Sequence, residues 1–75
     1  MNATIKQIET KIAELIKKET GCEVEVTCRS TDEWTISGID ANRAANWMQT
    51  NGLMTLTDTA EYDDDCITYC YMKSH

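Results

Sequence analysis

The chain has 75 residues, 41% of them hydrophobic and 27% charged, with a net charge of −6. That length supports one domain with a thin core, leaving little room for a deep catalytic pocket, and the composition excludes a disordered tail. The acidity disfavours nucleic-acid phosphate and anionic membrane as direct partners.

The charge is unevenly placed. Residues 1–20 carry four lysines against three glutamates, a balance of +1, whereas the remainder holds ten acids against Arg29, Arg43 and Lys73, a balance of −7. No apolar run reaches the ~18–20 residues of a membrane span. The N-terminus reads as a charged amphipathic helix, not a secretory signal. With Met1 at its start, the chain is expected to be a whole reading frame that stays in the cytoplasm, where thiols are reduced.

Ile5, Ile8, Ile12, Leu15 and Ile16 recur at helical spacing, so a first helix is expected with these residues on one stripe. Thr4 and Gln7 suit a capping box, with Asn2 as a rival cap, and Gly21 a left-handed stop after Lys17 and Lys18. Residues 22–28, CEVEVTC, alternate as a half-buried strand: Cys22, Val24, Val26 and Cys28 on one face, Glu23, Glu25 and Thr27 on the other. A polar turn at 29–33 leads to Trp34-Thr35-Ile36-Ser37, completing a hairpin, and Gly38 marks a bulge or the strand's end.

Asp40 is placed to cap a second helix, ANRAANWMQTN, closed by Asn51-Gly52, with Ile39 and Ala44 as a hydrophobic staple. Its small face of Ala41, Ala44 and Ala45, beside Met48, suits close packing on a sheet, with Trp47 at the flank. A third strand opens at Leu53-Met54-Thr55-Leu56-Thr57, a turn follows at EYDDD, and CITYCYMK forms a fourth strand. The expected fold is α+β, in the order α-β-β-α-β-β, with both helices on one face of a four-stranded, mostly antiparallel sheet in a single domain over 1–75. Period alone leaves two faces open for the last strand. Either Cys66, Thr68, Cys70 and Met72 face the helices, or Ile67, Tyr69 and Tyr71 do. In the first case the tyrosines join Glu23, Glu25, Thr35, Ser37, Thr55 and Thr57 on an open face.

The candidate chemistry is sparse. Cys22 and Cys28 would lie ~20 Å apart along a strand, and Cys66 and Cys70 ~13 Å, too far for either pair to chelate one metal. The cysteines read as small core residues, with a redox or metal role as the alternatives. The single histidine is His75, and no phosphate loop or nucleophile motif is present, so neither an enzyme nor a cofactor is expected. DTAEYDDDC lacks the glycine and terminal glutamate of a calcium loop.

The surplus acids around YDDDC have two readings: a solvated turn that blocks edge pairing, or a negative surface that docks on basic side chains of a protein. The second makes Glu23, Glu25, Asp58, Glu61, Asp63, Asp64 and Asp65 the candidate partner-binding carboxylates. Tyr69 and Tyr71 pack beside them, and Trp34 and Trp47 are further possible anchors.

A short reading frame, strong acidity, one α+β domain and no catalytic signature together give a chain that resembles the phage-encoded inhibitors of bacterial defence, above all the anti-CRISPR proteins. The resemblance is one of general character over the whole chain and assigns no role to any residue. It implies a non-enzymatic inhibitor that binds a CRISPR effector and blocks its nucleic-acid channel or a subunit contact, acting as monomer or homodimer. Two other classes stand beside it: an assembly protein that dimerises through its sheet face or edge, and a cysteine-based metal or redox module.

Overall fold

A computed structural model describes residues 4–62 and 66–74. The order is α1 (Ile5–Thr20), β1 (Glu25–Cys28), β2 (Glu33–Gly38), α2 (Ala41–Thr50), β3 (Met54–Tyr62) and β4 (Ile67–Ser74). The expected α-β-β-α-β-β arrangement is present, with both helices packed against a four-stranded sheet. Strands run β1-β2-β4-β3, and every neighbouring pair is antiparallel. β2 and β3 are therefore parallel, with β4 between them, and α2 makes the crossover from one to the other. Among the described residues, no helix is long and apolar enough to cross a membrane.

Local chemistry sets the first helix. The Thr4 hydroxyl accepts from the Gln7 amide at 3.2 Å, and the Gln7 side chain accepts from the Thr4 amide at 2.9 Å, a complete capping box. Gly21 ends the helix at φ 76°, its N–H bonded to the Lys17 carbonyl. The apolar stripe is only partly used: Ile16 is fully buried, but Ile5, Ile8 and Leu15 are 60%, 38% and 41% exposed.

β1 is shorter than the alternation over 22–28 implies, because β2 ends at Gly38 and its last partner on β1 is Glu25, through Ser37. At φ 147°, Gly38 still pairs with Thr68 of β4 and lies close against residues 23 and 24. α2 also departs from expectation. Asp40 occupies the cap position, but its side chain makes no capping bond, and only its carbonyl accepts, from Ala44. The two-residue connection turns Ile39 outward, 77% exposed, so no staple forms.

The core lies between helices and sheet: Ile16 and Cys22, Val26 and Ile36, the three alanines and Met48 of α2, then Met54, Cys70 and Met72. The open question about the last strand is resolved. Thr68, Cys70 and Met72 are buried towards the helices, and Tyr69 and Tyr71 lie on the other face. Cys66 is exposed just ahead of β4, at φ 55°, and is not a core residue.

β3 runs to Tyr62, beyond the expected start of the turn, and carries a bulge between Leu56 and Asp58. The Thr57 hydroxyl donates to the Tyr71 carbonyl at 2.9 Å across this irregularity. The extra residue inverts the alternation downstream, which decides where the acids of this strand fall.

Candidate functional site: the open face of the sheet

Helices cover one face of the sheet, so the other carries the side chains that remain available. β4, a central strand, places Tyr69 and Tyr71 there, both half-buried. Ladder register sets their neighbours: Tyr69 lies between Ser37 and Ala60, and Tyr71 between Thr35 and Asp58. On β1, Glu25 and Thr27 continue the same two rows. The Arg29 guanidinium sits over the Tyr71 ring, 5.0 Å from its centroid. Apart from Ala60 and Asp58, these side chains border a shallow hollow of about 410 Å³, whose lining includes both Glu25 and Arg29.

The expected acidic cluster is only partly assembled. Glu25 and Asp58 share the open face with the tyrosines, and an Asp58 oxygen accepts from the Thr59 amide at 2.8 Å. Glu23 turns to the helix layer instead, where its carboxylate meets Lys17 Nζ at 2.7 Å. That hydrogen bond, together with the lysine's charge, holds the Glu23 carboxyl below the usual range and raises the Lys17 ammonium. A row of carboxylates along β1 is thus broken after one member. Glu61 pairs in register with buried Thr68, on the helix side of the sheet, because the bulge at Thr57 shifts it there. Asp63, Asp64 and Asp65 lie outside the described residues.

Trp34 and Trp47, considered as anchors, pack against the core instead. The Trp34 indole N–H is buried with no hydrogen-bond partner among the described residues. Arg29 is the residue that sequence reasoning missed. It falls in the polar turn after β1, and only its odd-numbered parity with Glu25 and Thr27 hinted at the open face.

Cys22 and Cys70 are buried, Cys28 is half-buried and Cys66 is exposed, and none of the four is in a disulfide. Burial pushes the Cys70 thiol up, against a lowering hydrogen bond from Thr59, and the nearby Glu61 charge raises it further. A thiol held protonated in this way is a poor nucleophile. Among the described residues, no group of three His, Cys, Asp or Glu side chains is placed to hold a metal ion. The geometry offers a half-polar contact surface with two aromatic side chains at its centre. No family model matches the chain, and no characterised protein or solved structure matches it either.

Proposed function

We propose that this chain is a protein-binding inhibitor that acts by occupancy, docking the open face of its sheet on a basic, nucleic-acid-binding surface of another protein. The observation that carries this reading is the placement of Tyr69 and Tyr71 on a central strand, half-exposed, between Glu25 and Asp58. Aromatic side chains in such positions supply most of an interface's energy, and rim carboxylates mainly set its association rate. The sequence between β3 and β4 adds three aspartates to the chain's negative charge. CRISPR effectors are the target class, on the general resemblance to anti-CRISPR proteins.

The test is binding of purified effector complex to the wild-type chain and to two variants, at low and high salt. Tyr71→Ala is expected to weaken binding by at least about tenfold, mainly through faster dissociation. The double reversal Glu25→Lys/Asp58→Lys is expected to slow association and flatten its salt dependence. Unchanged binding in both variants, each folded by circular dichroism, rejects the docking face.

A further inference from the structure

On the open face of the sheet, one stacking contact is made by the chain with itself. Arg29 stands just past the end of β1, and its guanidinium lies over the Tyr71 ring, 5.0 Å from the centroid. The side chain is exposed and has no hydrogen bond or ion pair among the described residues, so the stacking alone holds it. A cation–π contact at an exposed site is weak and readily exchanged. An alternative partner stands close by. Glu33 lies across the turn, its carbonyl taking the Arg29 N–H at 2.8 Å. As an odd-numbered member of β2 it projects to the same face as Thr35 and Ser37, and it has no ion pair among the described residues.

The surroundings of Tyr71 suit a positive charge from outside. Asp58 pairs with Tyr71 in register on one side, and Glu25, itself exposed and without an ion pair among the described residues, lines the hollow on the other. Arg29 is the one cation in that lining. Between Glu25 and Tyr69 the ladder places only Ser37, whose small side chain leaves the hollow open between a carboxylate and a ring two strand spacings, about 10 Å, apart. The side-chain hydroxyls of Thr27, Thr35 and Ser37 have no bond to other described residues and can accept from N–H groups. A guanidinium answers the whole set, since it stacks on a ring, pairs with a carboxylate through two N–H groups and still has donors left for hydroxyls. The ammonium of a lysine answers the charge but not the ring plane.

We infer that this hollow is a binding site for an arginine side chain of the partner, which Arg29 occupies in the free chain and yields by turning to Glu33. The inference rests on the reading of this face as the docking surface and names what enters it. It makes Arg29 an internal competitor for the site, and not one of the residues that hold the partner.

A small probe tests this with no effector present. A blocked glycine-arginine-glycine tripeptide is titrated into the isotopically labelled chain and followed by NMR, beside its lysine counterpart. The arginine peptide is expected to shift the Tyr71 ring resonances saturably, and the lysine peptide to bind at least about twofold more weakly. As the site fills, the Arg29 side-chain protons should lose the upfield shift that the ring gives them. Arg29→Ala should tighten the arginine peptide about three- to sixfold, the factor by which an exposed cation–π contact withholds the site. That gain should persist at about 0.5 M salt, where a general charge effect is screened. Glu25→Gln should weaken binding at least about twofold. No saturable binding at Tyr71, a lysine peptide that binds as well, Arg29 resonances that stay in place as the peptide binds, or an Arg29→Ala chain that binds no tighter each overturns the inference. A chain that takes the peptide as expected but ignores the effector sinks only the docking reading, and one that docks on the effector but refuses the peptide sinks only this site.

Discussion

Removing the Glu9 carboxylate tests how α1 is fastened to the sheet. Glu9 is half-buried, and its oxygen lies 2.6 Å from the Cys28 amide nitrogen, joining residues 19 positions apart. A hydrogen bond to an ionised acceptor contributes about 1.5–3 kcal/mol net. In Glu9→Ala the amide is left at a strand edge where water can reach it, and alanine's helix preference returns about 0.4 kcal/mol. The expected loss is therefore about 1–2 kcal/mol. A domain of this size holds only about 4–11 kcal/mol in total, at the usual stability per residue, so the change is large. Glu9→Gln keeps an acceptor without the charge and should lose about half as much. Urea unfolding of dilute samples, with the slope shared between variants, reads this as a midpoint lowered by about 1 M or more for Glu9→Ala. Faster exchange at the Cys28 amide should accompany it. Equal midpoints for wild type and Glu9→Ala would refute the reasoning, and equal losses for alanine and glutamine would refute the role of charge.

Gly38→Ala should cost about 2–3 kcal/mol and more than Gly21→Ala, because at Gly38 the new Cβ meets the Glu23 carbonyl at 3.1 Å, while at Gly21 only the positive φ is at stake; thermal unfolding ranks the two. Titration with a thiol reagent under native conditions should modify Cys66 first and Cys28 more slowly, with Cys22 and Cys70 reacting only on unfolding, and early reaction at Cys70 would contradict its burial. The Lys17–Glu23 pair sets a pH window. Glu23's lowered carboxyl contributes stability above its ordinary value of 4.5 that is lost as pH falls through the folded value, and Lys17's raised ammonium contributes below 10.5 and is lost as pH rises through its own. Both groups are exposed, so the stability difference between wild type and Glu23→Gln should be small at neutral pH, vanish in acid and shrink in high salt.

Much of the fold was legible because its signals are local. The Thr4–Gln7 box, the Gly21 stop, the alternation of β1 and the small face of α2 each depend on neighbours a few positions away. What was missed depends on the third dimension. The bulge at Thr57 has no distinctive residue, yet it moves Asp58 to the open face and Glu61 to the helix side, separating carboxylates that look adjacent in sequence. Glu23 alternates correctly with Glu25, but β2 ends before reaching it, and Lys17 captures it from a different element. Exposure of Ile8 and Leu15 followed from how far α1 rolls on the sheet, which a helical stripe alone does not fix. The face of β4 was undecidable from a period of two, since cysteine, threonine and methionine alternate there with isoleucine and tyrosine.

The position of β4 bears on how the chain acquires its structure. It is the last of the strands to be synthesised, yet it lies inside the sheet, paired on one side with β2 and on the other with β3. Before it emerges, a nascent chain can form α1, α2 and the β1–β2 hairpin, but β3 has no strand to lie against. Most of the long-range pairing then forms in one step once β4 has emerged, which favours cooperative folding over strand-by-strand assembly. A polypeptide truncated before Ile67 should leave two unjoined pieces with exposed apolar faces, a substrate for chaperones and proteases and not a smaller version of the same protein.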